Sequence, residues 1–282
     1  MLGQKIVLWN EDAYEKKTDT EVPYMDLYIL PKREYDQEPS VLHHKKRPMI
    51  IICPGGSYEF ICEREADPIA LKYLSRGFNV AVLHYSVNYP HPQPLLDVAK
   101  AILMIRQNAE EYYVDSDKII VCGFSAGGHL ACTIGTLWNE PYLAERLGVK
   151  SDMLKPNVQI LGYAVTTTGE YGDDGCNNVL AADNEKVLRE LSLENRVTKD
   201  TAPAYIWHTT KDNAVPVMNA IVYAEALSVK GVNYEMHIFP RGCHGLSISE
   251  EETSCGANDL CDDYIARWID ESINFINTTF SR

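Results

Sequence analysis

The sequence has no apolar run of the roughly 20 residues that a membrane-spanning helix needs. The N-terminal segment MLGQKIVLWNEDAYEKK reaches charged residues before an apolar core of signal-peptide length, so we expect a cytoplasmic protein without a membrane partner. None of the eight cysteines forms a Cys-x-x-Cys pair, which argues against a zinc or redox motif. A chain of 282 residues also has no need of a disulfide framework, so we expect free thiols and no metal site.

Basic side chains are scarce. The chain carries 26 Lys and Arg against 40 Asp and Glu, which gives a formal net charge of −14. Nucleic acids and anionic membranes carry charge of the same sign, so this balance argues against either as a partner. Hydrophobic residues make up 45% and charged residues 23% of the chain, which are globular proportions and exclude a disordered protein.

Short apolar segments alternate with helical patterns along most of the chain. This alternation predicts an α/β fold, with a mostly parallel sheet covered by helices on both faces. Strands are predicted at 4–9, 24–30, 48–53, 78–84, 118–122, 158–164, 204–209 and 234–239. Helices are predicted at 63–76, 95–112, 126–138, 216–229 and 258–278. The first two strands are expected to be antiparallel, with a turn near residues 11–19.

One segment breaks this rhythm. Residues 165–201 are rich in Thr, Gly, Asp and Asn and contain one short helical pattern near 184–193. We expect them to form a small cap-like insertion over one end of the sheet, within a single domain that covers residues 1–282.

One motif places a serine between two glycines. Residues 123–127 read Gly-Phe-Ser-Ala-Gly, the G-x-S-x-G pattern, with a predicted strand before it and a predicted helix after it. In this context Ser125 lies on a sharp strand-to-helix turn, and the glycines remove Cβ atoms that would collide across it. The hydroxyl then projects beside a helix N-terminus, whose free N–H groups favour negative charge. The motif predicts Ser125 as a catalytic nucleophile.

A serine hydroxyl is a poor nucleophile at neutral pH and needs a base. Of the eight histidines, His244 lies in a glycine-flanked loop between the last predicted strand and the last predicted helix. Open α/β folds place their chemistry in such loops, so His244 is the predicted base. His208 falls within a predicted strand, where a structural histidine with satisfied ring nitrogens is expected.

The base needs a carboxylate that orients it, and Asp212 is the preferred candidate because it follows the strand at 204–209. A turn residue or a helix cap is the alternative role for Asp212. The order Ser125, Asp212, His244 is that of one known triad architecture. The competing carboxylates lie in the insertion and not at a strand end: Asp173, Asp174, Asp183 and Asp200.

The tetrahedral intermediate of an acyl transfer needs fixed donors for its oxyanion. The N–H of Ala126, directly after the nucleophile, is one candidate. Residues 53–58 read Cys-Pro-Gly-Gly-Ser-Tyr, and the consecutive glycines let backbone N–H groups turn toward a substrate. Alone, this segment favours an ordinary turn, and its combination with the predicted triad favours an oxyanion loop.

Four segments together resemble the α/β-hydrolase superfamily. They are P-G-G-S at 54–57, G-F-S-A-G-G at 123–128, D-N-A-V-P at 212–216 and G-C-H-G at 242–245. Within the superfamily they are similar to the esterase branch with an H-G-G-G-type loop, near the hormone-sensitive-lipase-like and acetylxylan-esterase-like sugar esterases. The resemblance extends from residue 48 toward the C-terminus. It implies an α/β-hydrolase fold and a reaction without a metal or an organic cofactor.

The resemblance also implies roles for single residues. Pro54 stands where the family's loop often carries His, and Ser57 stands at the position of its third glycine. In this alignment the oxyanion donors are the N–H groups of Gly56, Ser57 and Ala126. Ser57 keeps its amide, although a serine adopts a positive φ less readily than a glycine does.

Residues 63–70 and 83–87 are similar to the sugar-esterase subgroup as well, and in that subgroup the loop after the second segment borders the pocket. The resemblance gives no role to residues 63–70. Three tyrosines near these segments either stack on a sugar ring or close the core, and both alternatives stay open: Tyr58, Tyr85 and Tyr89.

The residues favour a serine carboxylesterase that acts on small acyl esters, such as the O-acetyl groups of sugars or oligosaccharides. A short-chain lipase or a peptidase would use the same triad, but the first usually brings a large apolar lid and the second an extra domain. A non-catalytic small-molecule-binding protein on the same scaffold is the alternative from another class. The sequence leaves the ester and the oligomeric state open, a homo-oligomer included.

Overall fold

The computed structural model describes residues 3–10, 14, 21–31, 46–181 and 184–281. Eight strands lie within them: β1 (Gln4–Val7), β2 (Tyr24–Tyr28), β3 (Arg47–Cys53), β4 (Asn79–His84), β5 (Val114–Phe124), β6 (Val158–Gly162), β7 (Ala204–Thr209) and β8 (Tyr234–Phe239). They form one sheet in the order β1-β2-β4-β3-β5-β6-β7-β8. The pairings of β1 with β2 and of β2 with β4 are antiparallel, and the later ones are parallel.

Ten α-helices connect and cover these strands within the described residues. They are α1 (Asp67–Ser75), α2 (Gln93–Gln107), α3 (Ser125–Leu137), α4 (Pro141–Leu147), α5 (Asp174–Ala181), α6 (Glu185–Leu191), α7 (Met218–Lys230), α8 (Glu251–Ser254), α9 (Asp263–Ala266) and α10 (Trp268–Phe280). A 3-10 turn at Glu63–Glu65 precedes α1. Across the described ranges, no helix has both the length and the apolarity to cross a membrane.

The sheet separates two apolar layers, because successive side chains of a strand point to opposite faces. On β3, Met49 and Ile51 belong to the layer that contains buried residues of α2, α3 and α7, whereas Ile50 and Ile52 belong to the layer that contains those of α1 and α10. All four side chains are fully buried. Burial of an aliphatic side chain stabilises a fold by about 1.5–3 kcal/mol. The two layers therefore hold the central strands, and the loops that follow them, in fixed positions.

Four parallel strands deliver the predicted site residues to one edge of the sheet. β3 leads into the 54–60 loop, β5 into Ser125, β7 into Asp212 and β8 into His244. The carboxyl ends of parallel strands meet at the same edge, which is where open α/β folds bind their ligands. The topology thus brings together residues that are far apart in the sequence.

The predicted α/β architecture is confirmed, with antiparallel N-terminal strands and helices on both faces. The insertion at 165–201 contains two helices, α5 and α6, where the sequence predicted one. The missed helix α5 has few large apolar residues, so its sequence gives little periodic signal. The turn predicted near 11–19, apart from Tyr14, and the competing carboxylate Asp183 lie outside the described residues.

The single helix predicted over 258–278 is wrong. The structure has a 3-10 turn at Asn258–Leu260, followed by α9 and α10. Asp262 begins α9, because its carboxylate accepts the N–H of Tyr264. This is the bond that an aspartate makes at a helix N-cap, and it sets a new start inside a segment whose apolar spacing looked continuous.

Candidate active site

Ser125 lies where β5 passes into α3, with a φ of +52°. A Cβ atom on Gly123 would overlap the carbonyl group of Gly127, and a Cβ atom on Gly127 would overlap the carbonyl oxygens of Cys53 and Pro54. Both glycines of the motif are therefore required where α3 begins against β5 and β3, as the sequence predicted. The close packing holds Ser125 in a conformation that L-residues otherwise avoid.

The hydroxyl oxygen of Ser125 is 2.9 Å from Nε2 of His244. Nδ1 of the same ring is 2.8 Å from Oδ2 of Asp212. Because Nδ1 faces a carboxylate, it carries the ring proton, and Nε2 is left as the acceptor for the serine hydroxyl. The side chain of Asp212 is 1% exposed and that of His244 is 21% exposed. The structure brings the three predicted side chains together in a geometry that allows proton transfer from Ser125 to His244.

Both oxygens of Asp212 accept hydrogen bonds. Oδ1 accepts the N–H groups of Ala214 and Val215 at 2.9 and 2.8 Å. Oδ2 lies 3.3 Å from Nε2 of His208, in addition to its bond with His244. Burial raises the pKa of Asp212, but the donors outweigh it, His208 and His244 foremost, and hold the pKa well below its usual range. Asp212 is therefore ionised at neutral pH, the form that orients an imidazole.

His208 differs from the satisfied structural histidine that the sequence predicted. It is fully buried, and its Nε2 faces the carbonyl oxygen of Val215 at 3.0 Å as well as Asp212. Its Nδ1 has no hydrogen-bond partner in the described part of the chain. Since Nε2 faces two acceptors, it carries the ring proton. No pattern in the sequence indicated that this ring lies 3.3 Å from the carboxylate that orients His244.

Two hydrogen bonds join the loop that carries His244 to the end of β7. The N–H of His244 lies 3.3 Å from Oδ1 of Asn213, and the hydroxyl of Thr209 donates to the carbonyl of Gly242 at 2.7 Å. Asn213 directly follows Asp212, so one short segment holds both the backbone and the ring of His244. This accounts for the polar residue after the aspartate in the D-N-A-V-P motif.

The 54–60 loop lies against the serine. A Cβ atom on Gly55 would lie 3.0 Å from Cβ of Ser125. Gly56 and Ser57 have φ values of +123° and +53°, and within the described residues their N–H groups have no hydrogen-bond acceptor. The N–H of Ala126 lies in the first turn of α3, where helical N–H groups have no acceptor within the helix. The three predicted oxyanion donors thus lie on two segments that meet at Ser125.

The tyrosines near the loop are inside the protein. Tyr58 and Tyr85 are 1% and 3% exposed, and Tyr89 is buried as well. The hydroxyl of Tyr58 bonds to Nδ1 of His129 at 2.9 Å, and the hydroxyl of Tyr85 donates to the carbonyl of Pro54 at 2.7 Å. Both side chains therefore support the 54–60 loop. Contact of the three tyrosines with a substrate stays a prediction.

The hydrogen bonds of His244 in the described chain go to Ser125, Asp212 and Asn213. Among the competing carboxylates that the structure describes, Asp173 accepts the N–H of Cys176 near the start of α5. Over the ranges that the structure describes, no group of three or more His, Cys, Asp or Glu side chains could hold a metal ion.

The BD-FAE family model matches residues 37–227. The chain belongs to the BD-FAE family. Endo-1,4-β-xylanase B of Butyrivibrio fibrisolvens is 35% identical over 223 residues, which cover 75% of this chain and 34% of that protein. Acetylxylan esterase of Xylanibacter ruminicola is 29% identical over 211 residues, which cover 71% of this chain and 41% of that protein. The chain thus spans less than half the length of these two relatives.

A solved structure is similar over nearly the whole chain. The acetyl ester-xyloside bifunctional hydrolase from Caldicellulosiruptor lactoaceticus has a TM-score of 0.81 and 32% identity, with 98% of this chain and 96% of that chain covered. The sheet order and this similarity confirm the α/β-hydrolase fold that the four motifs implied. The membership in the BD-FAE family agrees with the predicted resemblance to sugar esterases.

Proposed function

We propose that this member of the BD-FAE family is a serine carboxylesterase that removes small acyl groups, with O-acetyl groups of carbohydrates as the preferred substrates. The observation that carries the proposal is the line of hydrogen bonds from Ser125 through His244 to Asp212, with lengths of 2.9 and 2.8 Å. The names of the acetylxylan esterase and of the acetyl ester-xyloside hydrolase support the choice of substrate.

In the proposed reaction, Oγ of Ser125 attacks the ester carbonyl while its proton moves to Nε2 of His244. The carbonyl oxygen becomes an oxyanion, which accepts hydrogen bonds from the N–H groups of Gly56, Ser57 and Ala126. When the tetrahedral intermediate collapses, the bond to the alcohol oxygen breaks, and His244 gives its proton to that oxygen. The products of this half are the free alcohol and an acyl-enzyme on Ser125.

Water completes the cycle. It attacks the acyl carbonyl and gives a proton to His244, and the second tetrahedral intermediate collapses with return of that proton to Oγ of Ser125. The acid is released and the serine is restored. Asp212 stays ionised throughout and stabilises the imidazolium that forms twice per turnover.

Replacement of the nucleophile tests this proposal. Ser125→Ala should lower kcat for p-nitrophenyl acetate by at least about 10³-fold, because the step that forms the acyl-enzyme is lost. The matched control is Ser75→Ala, an exposed serine at the end of α1, which should keep its activity. Circular dichroism should show that both variants are folded. Turnover within threefold of wild type in folded Ser125→Ala would remove Ser125 from the mechanism.

A substrate panel tests the acyl and alcohol sides. Acetylated xylo-oligosaccharides should give a higher kcat/KM than decanoate esters and peptide anilides. Preference for decanoate would favour a lipase, and cleavage of the anilide would favour a peptidase. No hydrolysis of any member of the panel would favour the alternative of a binding protein on the same scaffold.

A further inference from the structure

The 3-10 turn at Glu63–Glu65, which we call the 63–65 turn, holds a buried carboxylate. Glu65 is 3% exposed and makes no ion pair among the described residues. One of its oxygens accepts the N–H of Gly55 at 2.7 Å, and the other accepts the hydroxyl of Tyr163 at 2.6 Å. Burial of a carboxylate without such bonds costs free energy, so the bonds to Gly55 and Tyr163 keep the side chain of Glu65 in place.

Tyr163 connects this carboxylate to the loop of His244. Its hydroxyl oxygen accepts the N–H of Ser247 at 2.9 Å. Its ring stands edge-on to the imidazole of His244, with 5.0 Å between centroids and an interplanar angle of 70°. A continuous path therefore runs from Gly55 in the 54–60 loop, through two buried side chains, to the segment three residues beyond His244.

Arg64, the middle residue of the turn, also binds the loop that carries His244. Its Nη2 donates to the carbonyl of Gly245 at 2.7 Å, and its Nε donates to the carbonyl of Thr253 at 2.5 Å. In return, the hydroxyl of Ser247 donates to the carbonyl of Arg64 at 2.5 Å. Two of these bonds thus tie residues directly after His244 to a turn that follows the 54–60 loop, and the third ties α8 to the same turn.

We propose that the 63–65 turn is a brace that fixes the 54–60 loop relative to His244, with Glu65, Arg64 and Tyr163 as positioning residues. The inference rests on the proposed esterase function, because the brace sets the oxyanion donors and the base at their working separation. A misplacement of about 1 Å in such an arrangement can cost about 10²-fold in rate. The brace also gives Arg64 and Glu65, within the segment 63–70, a role that the family resemblance left open.

Variants that break the brace at different points test it, each with a matched control. Tyr163→Phe removes one buried hydroxyl, and its control Tyr223→Phe removes another, which is bonded to Thr136 at 2.8 Å. Arg64→Met removes donors to backbone carbonyls. Its control Arg106→Met does the same at Met153 and Lys155 on another part of the fold.

The first readout is kcat with p-nitrophenyl acetate per serine titrated by a fluorophosphonate, which corrects for unfolded protein. Tyr163→Phe and Arg64→Met should each lower kcat about tenfold with KM within twofold, since each removes one or two positioning hydrogen bonds. Both controls should keep kcat within twofold, even where they lower the melting temperature. Equal kcat values for the brace variants and their controls would overturn the proposal.

The second readout is hydrogen–deuterium exchange, which does not depend on activity. Peptides that cover residues 54–60 and 242–249 should exchange faster in Tyr163→Phe and Arg64→Met than in wild type, but not in the controls. Unchanged exchange in both peptides would overturn the brace. Absence of hydrolysis by wild type would instead count against the esterase proposal, and the exchange data would then decide the brace alone.

Discussion

Three residues of the site hold conformations that their residue types do not favour. Ser57, Tyr58 and Ser125 have φ values of +53°, +61° and +52°. A left-handed conformation costs an L-residue about 1–2 kcal/mol, so surrounding contacts must keep it. For Tyr58 the contact is the bond of its hydroxyl to His129. The G-x-S-x-G motif predicted the strained conformation of Ser125. No local pattern in the sequence predicts that His129, which is distant in the chain, supports the 54–60 loop.

We predict that His208 contributes to kcat and not only to the stability of the fold. Replacement by Leu removes the donor to Asp212, and kcat per titrated serine should fall about tenfold, since one hydrogen bond to the carboxylate is lost. His208→Gln, whose amide can still donate from nearly the same place, should restore most of the rate. Steady-state kinetics with p-nitrophenyl acetate gives kcat and KM for each variant.

His84→Leu is the matched control for that experiment, because His84 also bonds to an aspartate, Asp26 at 3.0 Å, but at the end of β4. It should keep kcat per titrated serine within twofold. If His208→Leu and His208→Gln lose kcat equally, the ring of His208 fills space and does not act through Asp212.

Among the elements near the site, α3 begins in close contact with the end of β3. Gly127→Ala would drive a methyl group into the carbonyl oxygens of Cys53 and Pro54, which also form the start of the 54–60 loop. Since backbone cannot yield as a flexible side chain does, we expect a loss of at least about 3 kcal/mol in the free energy of unfolding. Urea unfolding followed by circular dichroism measures it.

Gly169→Ala is the control for this prediction. Its Cβ atom would meet only Oγ1 of Thr167, at 3.4 Å, which is an ordinary contact. This variant should stay within about 1 kcal/mol of wild type. Equal destabilisation by both substitutions would mean that the close approach of α3 to β3 is not what requires a glycine at position 127.

The sequence predicted the elements that have a strong periodic signal and missed those that do not. The apolar strands at 118–122 and 204–209 were located because near-continuous apolar runs mark buried parallel strands. β5 nevertheless begins at Val114, because the polar residues 115–118 extend it without any apolar signal. The short helix α4 was also missed, although Pro141 near its start and Gly148 at its end are typical helix boundary residues.

At the scale of the whole molecule, the site exists because four strand ends meet at one edge. Ser125 and His244 are 119 positions apart in the chain and 2.9 Å apart in space. The order of motifs predicted this meeting, since parallel strands bring their carboxyl ends together. The brace could not be predicted in the same way, because Arg64 bonds to the carbonyl of Gly245 at a separation of 181 positions, and no spacing in the sequence pairs these two residues.

At the level of the whole molecule, we predict that His91 and His129 make the fold less stable on mild acidification. Burial lowers the pKa of His91 and of His129 to about 4. Unfolded histidine has a pKa of about 6.5, so between these values the unfolded chain binds protons that the folded chain does not. The stability that each neutral histidine contributes is therefore fully present above about pH 6.5. It is lost as the pH falls toward 4, by at most about 3 kcal/mol per histidine. Urea unfolding at several pH values measures the slope.

His129→Gln is the variant that separates this cause from others, because glutamine does not titrate. Between about pH 7 and pH 5 its stability should fall by less than that of wild type, because one neutral histidine is gone. The raised pKa values of Asp97 and Glu65 act in the opposite direction in both proteins and therefore cancel in this comparison. Asp212, whose pKa is lowered, adds its own loss only below about pH 4, outside this window. Identical slopes for the variant and wild type would show that His129 does not contribute.

Labelling by a fluorophosphonate tests most directly that His244 and Asp212 activate Ser125. The account predicts one adduct per folded chain, on the peptide that contains Ser125, with fluoride as the leaving group. His244→Gln should slow the labelling by at least about 10²-fold, as expected when a general base is lost. Labelling at another residue, or an unchanged rate in folded His244→Gln, would contradict the account.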